Sequence, residues 1–234
     1  MNILGIESSS LVASVALLSD DILTAEYTVN FKKTHSQTLL PMLDEIVTMT
    51  GVSLENVDAI AVSAGPGSFT GLRIGSATGK GLGLALKKPL ISVPTIDAMA
   101  YEFYGCASMI CPIMDARRNQ VYTGIYDNRT GFSIVKESCA MDIRDLIEEL
   151  NSMGERVIFS GDGVPAYKES IEEFMKVPFE FAPAHLSRQR AGAVAAYGAR
   201  LFLEGKTVTA AEHAPDYLRK PQAEREREES LKGE

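Results

Sequence analysis

Short apolar runs alternate with longer amphipathic segments along the chain. Ile3 to Glu7, Val12 to Leu18 and Ile22 to Val29 are separated by the turn formers Ser8-Ser9-Ser10 and Ser19-Asp20-Asp21, which predicts three strands in an antiparallel meander. Leu39, Leu43 and Ile46, with Leu40 and Val47, follow at helical spacing behind Thr34-His35-Ser36-Gln37, which has the form of a capping box. A helix of about four turns is expected there, kinked at Pro41 because proline removes an internal hydrogen bond. A strand at 58–63, a loop and helix at 65–86, a strand at Leu90 to Val93 and a helix capped by Thr95 complete the first half.

The pattern then restarts. Met109 to Asp115 is an apolar strand ending in an acid, as Ile3 to Glu7 is, and a turn at 116–119 leads into Val121 to Tyr126. Asn128-Arg129-Thr130-Gly131 reads as a hairpin turn into Phe132 to Val135; a helix at 142–152, a strand at Val157 to Ser160 and a helix near 165–175 follow. The pattern predicts a degenerate duplication with a period of about 108 residues. The expected organisation is a first domain at 1–104 and a smaller second domain at 105–218. A helix near 187–204, carrying Ala191, Val194, Ala195, Gly198 and Leu201, crosses back to the first. Residues 219–234, with the run Glu224 to Glu229, read as a charged disordered tail.

Glycine is distributed unevenly: seven of the nineteen fall between Ser63 and Gly83. Gly65 and Gly67 flank a proline where a strand leaves the core through a tight turn. Gly71, Gly75, Gly79 and Gly83 recur every fourth residue, along one side of a helix, where each costs about 1 kcal/mol relative to alanine. Something must approach that side closely. It is the chain's own sheet or a neighbouring helix, a partner subunit, or a phosphate held by the loop.

Composition narrows the function classes. The 234 residues are 45% hydrophobic, and no apolar stretch nears the ~18 residues that span a bilayer, so a soluble, membrane-free protein is expected. A net charge of -8 argues against electrostatically driven binding of nucleic acid by this chain alone. Three cysteines with no CxxC pair, and no basic region followed by an apolar one at the N-terminus, point to the cytoplasm. Gly75 to Gly81 resembles a phosphate-binding loop but is one residue short and has Gly81 where a magnesium-binding hydroxyl is needed. Ala61 replaces the first glycine of a nucleophile elbow around Ser63. His35, His185 and His213 show no metal-ligand spacing, and no metal site is expected. Glu7 and Asp115 remain, each an acid ending the first strand of its half.

Five segments together resemble a known family: Ile3 to Ser9, His35 to Pro41, Gly65-Pro66-Gly67-Ser68-Phe69-Thr70-Gly71-Leu72-Arg73-Ile74-Gly75, Val93 to Ala98, and Pro215 to Arg219. They are similar to the TsaB (YeaZ) family of bacterial tRNA threonylcarbamoyladenosine biosynthesis subunits, in the TsaD, glycoprotease-like superfamily. The resemblance implies an α/β fold of two tandem actin-like (ribonuclease H-like) domains, the second truncated. It implies a non-catalytic scaffold or activator. Such a subunit supports TsaD in transferring threonylcarbamoyl from its adenylate to the adenine beside the anticodon of tRNAs reading ANN codons.

The resemblance further implies that a TsaC-type enzyme makes the adenylate, that the ATPase TsaE joins the pair, that tRNA is met through the complex, and that the chain pairs with itself when alone. The paralogue's His-x-x-x-His metal motif corresponds to Asp97 and Tyr101, so its metal-assisted chemistry is expected to be missing. The family's helical-bundle contact implies a partner-binding set of His35, Leu39, Leu43, Ile46, Gly71, Arg73, Ile74, Gly75 and Gly79. Glu7, Ser9, Gly65, Gly67 and Asp115 are candidates for a vestigial nucleotide site. No cofactor is expected on the chain itself, ATP and magnesium being used by the wider complex. The alternatives are a small actin-like ATPase or phosphotransferase using Glu7, Ser9 and Asp115, and a glycoprotease-like peptidase.

Overall fold

The structure, a computed structural model, describes residues 1–218; the tail expected at 219–234 lies outside the described residues. The first lobe contains β1 (Asn2–Glu7), β2 (Val12–Ser19), β3 (Ile22–Asn30), α1 (His35–Thr50), β4 (Ala59–Gly65), α2 (Phe69–Leu86), β5 (Leu90–Pro94) and α3 (Thr95–Tyr101). The second contains β6 (Met109–Asp115), β7 (Gln120–Asp127), β8 (Ser133–Asp142), α4 (Ile143–Met153), β9 (Val157–Ser160), α5 (Val164–Phe174) and β10 (Phe179–Phe181). A final helix, α6 (Ala191–Leu203), follows.

The two sheets have one topology. The first runs β3-β2-β1-β4-β5 and the second β8-β7-β6-β9-β10. In each, the first three strands are antiparallel neighbours, and the fourth and fifth add in parallel. Every residue of β4 is buried, as expected of a central parallel strand covered on both faces. The shortening of the second lobe lies in its helices: α4 and α5 have 11 residues each, against 16 and 18 in α1 and α2.

Core packing follows the layers. Leu39, Met42, Leu43 and Ile46 of α1 bury against Leu4, Val15, Ile60 and Val62 of the first sheet. The opposite face of that sheet is covered by α6, through Val194, Ala195, Tyr197 and Leu201. In the second lobe, α4 and α5 bury Leu146, Ile147, Leu150, Tyr167 and Ile171 against Cys111, Val121 and Phe159.

Several local expectations are corrected. Thr34 precedes α1 without a side-chain cap bond, so the capping box does not form; instead Gln37 N donates to the Thr34 carbonyl at 2.9 Å. The helix runs through Pro41 as a single element. Pro94, not Thr95, occupies the cap of α3, and the Thr95 hydroxyl is buried without a partner. The last helix starts at Ala191 rather than Ser187, because residues 187–190 are irregular and Arg190 caps the helix in extended conformation. β8 extends to Asp142, since its polar half pairs with β7. β10, three residues long, was not visible in the pattern at all.

Candidate functional site

A cleft of about 730 Å³ opens between the lobes. Its first wall is the Ser9–Leu11 loop after β1, the start of α1 at Lys33–His35, and the Pro66–Leu72 loop and first turn of α2. Met114 to Arg117 after β6 and Asp162 after β9 form the second, and Asp216 to Leu218 a third. The geometry follows from topology, because the carboxyl ends of the parallel strands in both sheets point here.

Of the expected nucleotide-site residues, Ser9, Gly67 and Asp115 reach the cleft. Asp115 is exposed and its Oδ1 accepts from Arg117 N at 2.7 Å and Tyr167 Oη at 3.0 Å. Glu7 does not reach it. Only 1% exposed, it accepts at Oε1 from Ser9 N at 2.5 Å and Ser9 Oγ at 2.6 Å. Burial pushes its carboxyl up to about 7 against the opposing pull of the Ser9 and Ser63 hydrogen bonds. A carboxyl so enclosed has no line to a nucleotide or its hydrated cation. Gly65 is also covered, by the carbonyl of Asp216, whose N–H donates to Ala64 O at 2.7 Å. With φ of 126° and that carbonyl against it, position 65 accepts only glycine.

The partner-binding set is corrected more deeply. Added Cβ atoms at Gly71 and Gly75 would overlap Ser8, and one at Gly79 would lie 2.6 Å from Val62 Cγ2. The glycine ladder therefore presses α2 onto its own β1 loop and β4. Leu39, Leu43 and Ile46 are likewise core residues. Of the nine, only His35, Arg73 and Ile74 retain exposure. His35 Nε2 meets the Ser10 carbonyl at 2.9 Å, and the Arg73 guanidinium sits 4.8 Å from the Phe69 ring centroid. Tyr217 covers the same ring at 4.7 Å. The periodicity of the ladder was readable, but its direction was not.

Asp97 is enclosed in an aromatic cluster, accepting from Tyr126 Oη at 2.7 Å and Tyr197 Oη at 3.2 Å. Tyr101 stacks among Tyr104, Phe132 and Tyr197. Both side chains serve packing. Among the described residues no group of three or more His, Cys, Asp and Glu side chains is placed to hold a metal ion, and no helix is long and apolar enough to cross a membrane.

A family model described as TsaD, tRNA N6-adenosine threonylcarbamoyltransferase, matches residues 25–227. The tRNA threonylcarbamoyladenosine biosynthesis protein TsaB of Bacillus subtilis (strain 168) is 32% identical over 99% of this chain and 100% of its own length. The chain belongs to the TsaB branch of the TsaD family. TsaB of Escherichia coli (strain K12) is also 32% identical, covering 94% of this chain and 95% of its own. YeaZ from Pseudomonas aeruginosa superposes with a TM-score of 0.79 at 26% identity, over 92% of this chain and 99% of that one. The paired five-stranded sheets are thus the actin-like fold of TsaB proteins.

Asp162 and Gln189 lie outside the residues that the sequence marks as candidates, whereas Tyr217 falls in the Pro215 to Arg219 segment. Asp162 had a signal: Gly161-Asp162-Gly163 after β9 occupies the place of Gly65-Pro66-Gly67 after β4. Gln189 had none, since its importance arises only when three distant segments meet.

Proposed function

We propose that the chain serves tRNA threonylcarbamoyladenosine biosynthesis as a non-catalytic subunit that pairs with a TsaD-type transferase. The family membership supports the pathway. The enclosure of Glu7 and the use of Asp97 and Tyr101 in packing support the absence of chemistry on this chain. TsaC-type and TsaE-type proteins, and tRNA, enter through the assembled complex.

The observation that carries the pairing is the outer face of α2. Thr70, Arg73, Ala77, Gly81 and Leu84 are exposed at helical spacing, and an added Cβ at Gly81 would meet nothing within 4 Å. Leu84 is 68% exposed, and Leu40 on the neighbouring α1 is 54% exposed. A bare helix face next to large exposed apolar side chains suits close approach by a partner helix, with apolar burial as the driving term.

Light scattering of the chain mixed with the TsaD paralogue from the same cell should give a stoichiometric complex. Gly81→Arg should abolish it while leaving the isolated chain at least as stable in a thermal melt. A mixture that stays separated, or a Gly81→Arg variant that pairs normally, rules out this face.

The cleft supports a second reading, nucleotide binding by this chain, since Ser9, Gly67 and Ser68 line one wall and Asp115 the other. Calorimetric titration with magnesium-ATP should then give heat that Gly67→Val removes. Magnesium-dependent ATP hydrolysis lost in Asp115→Ala would turn the reading towards an ATPase.

A further inference from the structure

The lobes meet in two chemically different ways. Behind the cleft, Ile96, Met99, Ala100 and Phe103 of the α3 region pack against Ile110, Met114 and Tyr126 of the second sheet. Beneath the cleft floor, a buried side-chain amide spans the gap. Gln189, 1% exposed, lies in the segment that returns from the second lobe to α6. Its Oε1 accepts from Ser10 Oγ at 3.0 Å, and its Nε2 donates to Asp162 Oδ1 at 3.2 Å. A carboxylate needs a donor, which fixes the amide orientation. Ser10 belongs to the first lobe and Asp162 to the second, and both line the cleft.

We propose that Gln189 is a latch that holds the cleft closed by tying Ser10 of one lobe to Asp162 of the other. Apolar packing and the Tyr126–Asp97 hydrogen bond keep the lobes attached at the back, whereas at the front Gln189 bonds to both lobes from a segment that Arg188 ties to Gly161 and Arg190 to Glu26. The lobes can therefore hinge about the α3 contact when the latch is cut.

Charges around the latch decide how it responds to pH. Glu7 on β1, Glu26 on β3, Glu102 after α3, Asp115 at the end of β6 and Asp162 after β9 all face this region, with Arg188 and Arg190 flanking Gln189. Arg190 is held by Glu26, and Arg188 donates to the Gly161 and Ser187 carbonyls. Neither arginine is a hydrogen-bond partner of Glu7. Asp162 also lies close enough to push Glu7 upward. Raising the pH through about 7 ionises Glu7, which puts a negative charge near Asp162 and loosens the latch.

Pulsed electron–electron resonance between spin labels on Glu45→Cys of α1 and Lys168→Cys of α5, in a chain with Cys106→Ser and Cys139→Ser, reads the lobe separation. Both labelled positions are exposed. At pH 6 the latched chain should give one short distance. Gln189→Glu, which sets a carboxylate against Asp162, should move most of the population to longer distance. Adding Asp162→Asn should restore the short one, because the new amide donates to the new carboxylate. Moving from pH 6 to pH 8 should lengthen the distance in the otherwise native chain and not in Glu7→Gln. If Gln189→Glu fails to fold, Ser10→Ala removes the other bond and should lengthen the distance in its place. A folded Gln189→Glu or Ser10→Ala chain with the native distance overturns the proposal, as does a double variant that stays open.

Discussion

The connection from β4 to α2 and the connection from β9 to α5 are the same device built twice, with different tolerances. Each strand turns out at a glycine with positive φ, 126° at Gly65, the last residue of β4, and 103° at Gly161, the residue after β9. In each, an added Cβ would strike a backbone carbonyl, that of Asp216 or of Ile113. The lobes part company after the turn. In the first, α2 lies so close to the Ser8 loop, Val62 and Leu90 that four successive contact positions are glycine. In the second, α5 packs through the large buried side chains Tyr167 and Ile171. A shared topology therefore fixes where the turn glycines stand, while the distance between helix and sheet is set separately in each lobe.

The largest effect should come from spoiling the closer packing. Gly75→Leu places a side chain where Ser8 Oγ stands, and overpacking a closed site with no room to relax should cost more than about 3 kcal/mol. The check is the denaturant midpoint of the isolated chain, which should fall sharply or be lost with no partner present. A normal midpoint would mean that α2 can lift from the sheet.

The two strand-ending acids sharpen the comparison through pH. Glu7 is buried and raised from 4.5 to about 7, so the folded state holds its proton more tightly than the unfolded chain. Its contribution is fully present below about pH 4.5 and is lost as pH rises through about 7. Glu7→Gln keeps an acceptor for Ser9 and removes the ionisation. The variant should gain up to about 3 kcal/mol over the native chain at pH 8, and nothing at pH 4. Chemical denaturation at the two pH values measures it. Asp115→Asn, at the exposed counterpart, should change stability by less than about 1 kcal/mol.

The smallest effect separates the glycine that faces outward from those that face in. Gly81→Ala meets open space and should raise stability by about 0.5–1 kcal/mol through helix propensity. The same change at Gly79, 2.6 Å from Val62 Cγ2, should lower it. Thermal melts of the two variants should move in opposite directions.

The strands that form the two sheet centres were legible because they are long apolar runs between turn formers, and the restart at Met109 exposed the duplication. Two kinds of feature were not. Phe179–Phe181 is too short to show a period, and it joins a sheet only because β9 offers a parallel edge. The spacing of the α2 glycines left open whether the chain's own sheet or a partner covers them, because four-residue spacing defines a face without saying what lies against it. Leu39, Leu43 and Ile46 carried the same ambiguity, since a core stripe and an interface stripe have one periodicity. At the cleft, the glycines and Asp115 were marked by their positions after strands. Gln189 sits in irregular backbone, and nothing local distinguishes it from a solvated glutamine.

The helix covering the outer face of the first sheet is α6, and the edge of β5 is bridged by Val208. A ribosome therefore releases strands β1 to β5 long before their covering arrives. During that interval Ile3, Ala61, Ile91 and Val93 have no apolar cover from α6, while the second lobe, whose sheet and two main helices are contiguous in sequence, can complete itself first. The cover of the first sheet is thus synthesised only after the whole second lobe. That delay is when the nascent chain is most open to chaperones and to aggregation.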